Sequence, residues 1–149
     1  MNYFSGGQAL EKLLAEIGTK VAKPAVVEVG FLEGATYPDG TSVPLVATIN
    51  EFGAPSRGQP PRPFFRNMIA AKSGEWGPAI AALAKANGYD AVKTLGQAGI
   101  AIKGQLQASI VALVDPPLAP STVARKGSAK PLIDTGHMLN SIDYRVTTE

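Results

Sequence analysis

The sequence predicts an α+β fold in which a small antiparallel sheet packs with one long helix and several short helices, joined by two long proline-rich loops. Three observations predict this class. Apolar residues recur at helical spacing over 90–113, the clearest periodic signal in the chain. Two segments, 25–32 and 142–147, have the β-branched or alternating pattern of strands. The 149 residues suffice for one core, so we predict a single domain over residues 1–149.

The first predicted elements are a helix and a strand. Residues 8–22 place apolar side chains at helical spacing with charged residues between them, and Pro24 marks the helix end. The strand at 25–32 leads to a turn at 37–40, where proline presets φ and glycine supplies a positive φ. We expect a hairpin arm to return through 41–43. The apolar positions of the helix are Leu10, Leu13, Leu14, Ile17 and Val21.

Residues 44–52 read as a short helix. Ser42 is a suitable N-cap, Pro44 fits the first turn, and Gly53 suits the C-terminal end. A loop over 54–63 should follow.

Pro63 is expected to open a helix over 64–72, which glycine and proline at 74–78 should break. Since a rigid, extended proline segment leads directly into the first turn of this helix, we expect Phe64 or Phe65 to be deeply buried.

Residues 79–114 should be mostly helical, with an interruption at Asn87–Gly88. The apolar stripe over 90–113 contains glycines, which weaken a helix unless another backbone packs close to them. The stripe consists of Val92, Leu95, Gly99, Ile102, Leu106, Ile110 and Leu113, and the other glycines are Gly96 and Gly104.

The C-terminal part should contain the second long loop, a short helix and a strand. The loop is predicted over 115–131, without secondary structure of its own. Asp134 is expected to cap a helix over 135–141, and the alternating residues 142–147 indicate a half-buried strand.

Composition excludes several classes of site. The chain has no cysteine, which removes disulfides, cysteine-based zinc sites and thiol catalysis. Its single histidine, His137, excludes a two-histidine metal site within one chain. The net charge is +2 and the mean hydropathy +0.06, and the least charged stretch is too polar for a membrane span. We expect a soluble protein that binds no metal and no cofactor.

One group of residues has the types found in a hydrolase triad. Asp134, His137 and Ser141 lie at i, i+3 and i+7 and would share a helix face. A triad needs its serine presented with oxyanion donors, usually from separate elements, and Asp134 is better used as an N-cap. We therefore predict that His137 has no catalytic role and that the protein is not an enzyme.

The distribution of charge is more informative than the net charge. The segments 53–66 and 116–133 contain basic residues and no acidic ones, whereas the remaining chain carries eight basic and twelve acidic residues. Such loops suit contact with phosphate or an acidic partner, and the alternative is that they are simply solvated. The candidate interaction residues are Arg57, Arg62, Arg125, Lys126 and Lys130.

Three sequence blocks resemble a known family. They are Asn50-Glu51-Phe52-Gly53, then the block PPRPFFR at 60–66, then the block KPLIDTGHMLNSI at 130–142. In outline, residues 26–147 resemble the neck and tail-completion proteins of long-tailed phages, often labelled virion morphogenesis. That family has a strand, an "EFG" turn, an "RPF" helix start, a long helix and a "DTG-x-L-x-x-S" element in this order. The chain departs from it at His137 and Met138, where a basic residue often follows "DTG".

The resemblance implies a structural virion protein that forms a homo-oligomeric, hexameric ring at the head–tail junction, as a neck, tail-completion or tail-terminator protein. Its neighbours would be connector and tail-tube proteins, with the basic loops near packaged DNA or an adjacent ring. It would occur in the virion, and in the host cytoplasm during assembly, without a membrane. A second hypothesis, from the residues alone, is a small nucleic-acid-binding module that uses loops 53–66 and 116–133.

Overall fold

The computed structural model describes residues 6–127, 129–132 and 136–148. The predicted α+β class is confirmed, with six α-helices and a two-stranded antiparallel sheet in these ranges. The elements are α1 (Gly7–Val21), β1 (Ala25–Phe31), α2 (Val43–Phe52), α3 (Phe64–Ala86), α4 (Ala91–Ala112), α5 (Pro120–Lys126), α6 (His137–Asn140) and β2 (Ile142–Thr148), with a 3-10 turn at Pro55–Arg57.

Strands β1 and β2 pair antiparallel along their whole length, from Ala25 opposite Thr148 to Phe31 opposite Ile142. Helix α4 packs against both strands and covers one face of the sheet. Alternate residues of the strands are therefore less exposed, as the sequence pattern predicts. On the other face Glu28 and Arg145 form an exposed ion pair of 2.7 Å, which contributes little to stability.

The core lies where α2, α3, α4 and the C-terminal segment meet. Phe64 is only 1% exposed, and its ring meets that of Phe31 edge-on at a centroid distance of 6.1 Å. The expectation that Phe64 or Phe65 is deeply buried is thus confirmed. The buried apolar residues of this cluster are Val43, Ala47, Phe64, Met68, Leu106, Ile110, Leu132, Met138 and Ile142.

Gly99 lets α4 approach the sheet closely. A Cβ on Gly99 would lie 2.5 Å from Tyr144 Cδ2 and 3.0 Å from Val27 Cγ2. The expected approach of another backbone is not what is found: the atoms close to Gly99 belong to side chains of the two strands. At Gly96 and Gly104, apart from the helix backbone and the chain neighbours, no described atom lies within 4 Å of an added Cβ.

This contrast gives a matched test. Gly99→Ala should lower the free energy of unfolding by about 1–3 kcal/mol, because the ring of Tyr144 must move. Gly96→Ala should raise it by up to about 0.8–1.0 kcal/mol through helix propensity alone. Urea unfolding of both variants measures the difference. Equal stability of the two variants would contradict this account of α4 packing.

The predicted break in the helix after residue 72 is wrong. Helix α3 continues to Ala86 through Gly74, Gly77 and Pro78, so the fold has two long helices where the sequence predicts one. Packing against α4, including a 2.8 Å hydrogen bond from Trp76 Nε1 to Gln105 Oε1, outweighs the cost of roughly 3 kcal/mol for an interior proline. The predicted interruption at Asn87–Gly88 is confirmed as the turn between α3 and α4.

Two loop predictions also need correction. The segment 115–131 contains α5, which starts with Pro120 at its first position and ends at Gly127 in the left-handed conformation. The expected hairpin arm at 41–43 is only an isolated bridge between Thr36 and Ser42. Asp134 and the start of the helix predicted over 135–141 lie outside the described residues.

Candidate functional site

The block at 50–66 is built around helix α2. Ser42 Oγ accepts a hydrogen bond of 3.3 Å from the Leu45 amide, and Pro44 lies in the first turn, as predicted. Gly53 ends the helix with its N–H bonded to Ile49 O at 2.8 Å. These local signals place the last turn of α2 against the beginning of α3.

The carboxylate of Glu51 caps the neighbouring helix α3. Glu51 is 5% exposed, and its two oxygens accept the backbone N–H groups of Phe65 at 2.9 Å and Arg66 at 3.2 Å. Arg66 Nε adds an ion pair of 2.8 Å. Because Pro63 has no side-chain acceptor to cap its own helix, the negative charge that the α3 N-terminus favours comes from α2.

We expect Glu51→Ala to lower the free energy of unfolding by about 1–3 kcal/mol, since the first N–H groups of α3 lose their acceptor. Glu51→Gln keeps one acceptor oxygen and should cost less. Glu75→Ala is the control, because it removes only an exposed pair with Lys72. A Glu51→Ala variant as stable as Glu75→Ala in urea would refute the capping role.

The loop between Gly53 and Pro63 is held by Asn50. Gln59 Nε2 donates to Asn50 Oδ1 at 3.1 Å, and the Arg62 amide donates to Asn50 O at 2.7 Å. Gly53 adopts φ 78° and ψ 176°, a region almost restricted to glycine. The "EFG" and "PPRPFFR" blocks are therefore one structural unit.

The structure places the candidate interaction residue Arg62 in the interior, at 5% exposure. Its guanidinium donates to the carbonyls of Pro116 at 3.3 Å and Pro117 at 3.4 Å, and burial lowers the pKa of Arg62 from its ordinary value. Arg62 thus joins the two basic loops to each other and is not one of their exposed cationic side chains.

The other four candidates differ in their surroundings. Arg57 and Arg125 are exposed, on the 3-10 turn and on α5. Lys126 is half-buried, and its Nζ donates to the carbonyls of Lys130 at 2.9 Å and Pro131 at 3.3 Å, so it holds the chain after α5. The Lys130 residue itself is exposed.

His137 and Ser141 are not arranged as a base and its nucleophile. His137 Nε2 lies 2.8 Å from Thr36 O, with its ring beside that of Tyr37 at a centroid distance of 4.9 Å. Ser141 Oγ donates to the backbone carbonyl of His137 at 2.8 Å. The third residue of the group, Asp134, lies outside the described residues.

An apolar groove, which we name the β1–α2 groove, opens between residues 28–32 of β1 and the loop after it, helix α2 and the start of α3. Its volume is about 430 Å³. The two carboxylates at its wall are already paired, Glu28 with Arg145 and Glu51 with Arg66. Its apolar lining includes Val29, Phe31, Leu32, Ala47, Phe52 and Phe65.

Among residues 6–127, 129–132 and 136–148, no group of three or more histidine, aspartate or glutamate residues is placed to hold a metal ion. No helix within the same ranges is long and apolar enough to cross a membrane.

Sequence reasoning missed the roles of Glu51 and Gly53, although it singled out their block. The available signal was the absence of an acidic residue or a Ser/Thr cap at the start of the helix that begins with Phe64. Such a helix needs its cap from elsewhere in the fold.

Comparison with known protein families, curated proteins and solved structures finds no match to this chain. The resemblance to phage neck proteins therefore rests on the three sequence blocks alone.

Proposed function

We propose that this protein is a structural virion protein of a long-tailed phage and forms a hexameric ring at the head–tail junction, as a neck, tail-completion or tail-terminator protein. The observation that carries the proposal is the block at 50–66. Its residues depend on one another, since Glu51 caps the helix that Phe64 anchors and Gly53 lets the loop pass between them. These contacts give a physical reason why the residues of this block occur together in the chain.

The exposed surface is consistent with a subunit of an assembly. Large apolar side chains lie exposed along α1, and Leu45 and Phe52 lie exposed on α2. Contiguous apolar surface in a small protein marks interaction sites. In the proposed ring these surfaces would meet neighbouring subunits, connector proteins or tail-tube proteins, with Arg57 and Arg125 facing packaged DNA or the adjacent ring.

The test uses a phage that carries this gene with an amber codon. Growth in a non-suppressing host should give DNA-filled heads and separate tails, because the joining ring is missing. Cryo-electron microscopy of complete particles should show a ring of this chain at the head–tail junction. Joined, infectious particles that lack the protein, or copies located elsewhere in the virion, would refute the proposal.

The alternative is that the protein is a nucleic-acid-binding module. The position of Arg62 argues against this alternative, because its guanidinium is hydrogen-bonded to carbonyl groups inside the protein. Binding of the purified chain to duplex DNA should be measured against salt. Three phosphate contacts from Arg57, Arg125 and Lys130 would give a slope of about −3 in log affinity against log salt. If the chain is a monomer with that salt slope, and if replacing Arg57, Arg125 and Lys130 by alanine makes the slope shallower, the module is favoured over the ring.

A further inference from the structure

The turn between α3 and α4 contains the sequence pair Asn87–Gly88, and no other asparagine of the chain is followed by glycine. Such a pair is prone to deamidation, because glycine has no side chain to hinder attack by its own backbone nitrogen. The Gly88 nitrogen gives up its proton and forms a bond to Asn87 Cγ, while the Cγ–Nδ2 bond breaks and the side-chain nitrogen leaves as ammonia. Water then opens the cyclic imide at either carbonyl, which leaves aspartate or isoaspartate at position 87.

Helix α4 holds the side-chain amide of Asn87. Asn87 Nδ2 donates to Gln97 Oε1 at 2.7 Å and to Thr94 Oγ1 at 3.4 Å. These two bonds occupy both hydrogens of the amide. Closing the imide ring requires rotation about the side-chain and backbone bonds of Asn87, and the two hydrogen bonds oppose that rotation.

The backbone of the turn is held as well. The Gly88 N–H, which must lose its proton, is bonded to Lys85 O at 3.2 Å. The next N–H, of Tyr89, is bonded to Ala84 O at 2.8 Å. Tyr89 has a φ of 62°, which is rare for a residue with a large side chain. From α1, Lys20 Nζ donates to Gly88 O at 3.2 Å, so hydrogen bonds from three helices fix the conformation of this turn.

We propose that Asn87 is a deamidation site that the fold keeps closed, with Gln97 as the residue that holds its amide. The reaction then takes place only in the fraction of molecules in which the turn is open. Since local opening and closing are much faster than deamidation, the observed rate is the rate of the unfolded chain multiplied by this open fraction. The proposal is independent of the ring.

Deamidation would alter the junction between the two long helices. A carboxylate at position 87 has no N–H to donate to Gln97 Oε1, and it adds a negative charge at the C-terminal end of α3, where the helix dipole disfavours one. Isoaspartate also adds a carbon atom to the main chain within a turn whose N–H groups are bonded to α3. Asn87→Asp reproduces the first product and should melt at a lower temperature than the wild type.

The test measures deamidation at position 87 in the full chain, by peptide mapping with mass spectrometry at mildly alkaline pH. The same chain unfolded in guanidinium chloride gives the reference rate, and the folded wild type should react far more slowly. Gln97→Ala should react roughly two- to tenfold faster than the folded wild type, which is the change in open fraction expected from the loss of one hydrogen bond.

Two control variants separate the hydrogen bond from a general effect of substitution on α4. Gln97→Glu keeps an acceptor oxygen for Asn87 Nδ2 and should react like the wild type. Lys93→Ala also shortens an exposed side chain of α4, without touching the two bonds of Asn87, and should do the same. Circular dichroism would establish that each variant is folded.

Amide hydrogen exchange at Gly88 measures the same opening, and it should accelerate in Gln97→Ala by the same factor as deamidation. A folded wild type that deamidates as fast as the unfolded chain would overturn the proposal. Equal rates in Gln97→Ala and the wild type would also overturn it, because the amide would then not be held by Gln97.

Discussion

Replacing Phe64 by alanine is expected to lower the free energy of unfolding by about 3–5 kcal/mol. The side chain is almost fully buried and lies edge-on to Phe31 at the junction of β1, α2 and α3. Its backbone carbonyl also accepts a 2.6 Å hydrogen bond from Ser109 Oγ on α4. Alanine would leave a cavity where several elements meet, and denaturant unfolding measures the loss.

Phe52→Ala is the matched control for Phe64→Ala. Phe52 is 62% exposed, and the guanidinium of Arg66 lies 4.9 Å from its ring centroid. Its loss should cost no more than about 1 kcal/mol. If the two variants unfold at the same denaturant concentration, Phe64 is not the anchor that its burial indicates.

Gly53→Ala is expected to lower the free energy of unfolding by about 3–5 kcal/mol, for two reasons that add. The backbone conformation at φ 78° and ψ 176° is strained for any residue with a Cβ. In addition, the new Cβ would lie 2.8 Å from Gln59 O and from Pro61 N, both backbone atoms that cannot rotate away.

Gly58→Ala separates these two reasons. Gly58 also has a positive φ, 63°, but apart from its two chain neighbours no described residue has an atom within 4 Å of its added Cβ. It should therefore cost only about 1–2 kcal/mol, the ordinary cost of the left-handed α conformation at φ 63° and ψ 20°. Equal losses for Gly53→Ala and Gly58→Ala in urea would show that the contact with the 59–61 backbone has no energetic consequence.

Elements defined by neighbouring residues could be predicted from the sequence. Helix α2 could be predicted because Ser42 and Pro44 favour its start and Gly53 favours its end, and each acts on residues within one or two helical turns of itself. The turn at 37–40 follows in the same way, and the Thr41 amide, which bonds Asp39 Oδ1 at 2.9 Å, holds the pKa of Asp39 below its ordinary value. Strand β1 follows from its apolar, β-branched residues, and β2 follows from alternation, because α4 covers one face of the sheet.

The candidate site could be predicted only in part. The block at 50–66 is visible as a motif, but its chemistry joins residues far apart in the chain. The Glu51 carboxylate accepts a hydrogen bond from the Phe65 amide, 14 residues further along the chain. Arg62 donates a hydrogen bond to Pro116 O, 54 residues further along. A basic residue in a proline-rich loop, such as Arg62, suggests an exposed residue that binds a partner. No neighbouring residue indicates that its guanidinium binds carbonyl groups of another loop.

By itself, the sequence determined the α+β class, the ends of α2, the two strands and the burial of either Phe64 or Phe65. Each of these depends on local capping, on the proline segment before α3 or on the pattern of apolar and β-branched residues. Only the tertiary structure decided that α3 passes through Pro78, that Gly99 but not Gly96 is needed for close packing, and that Glu51 caps α3. In each of these cases a partner distant in the chain supplies an interaction that outweighs or replaces the local preference.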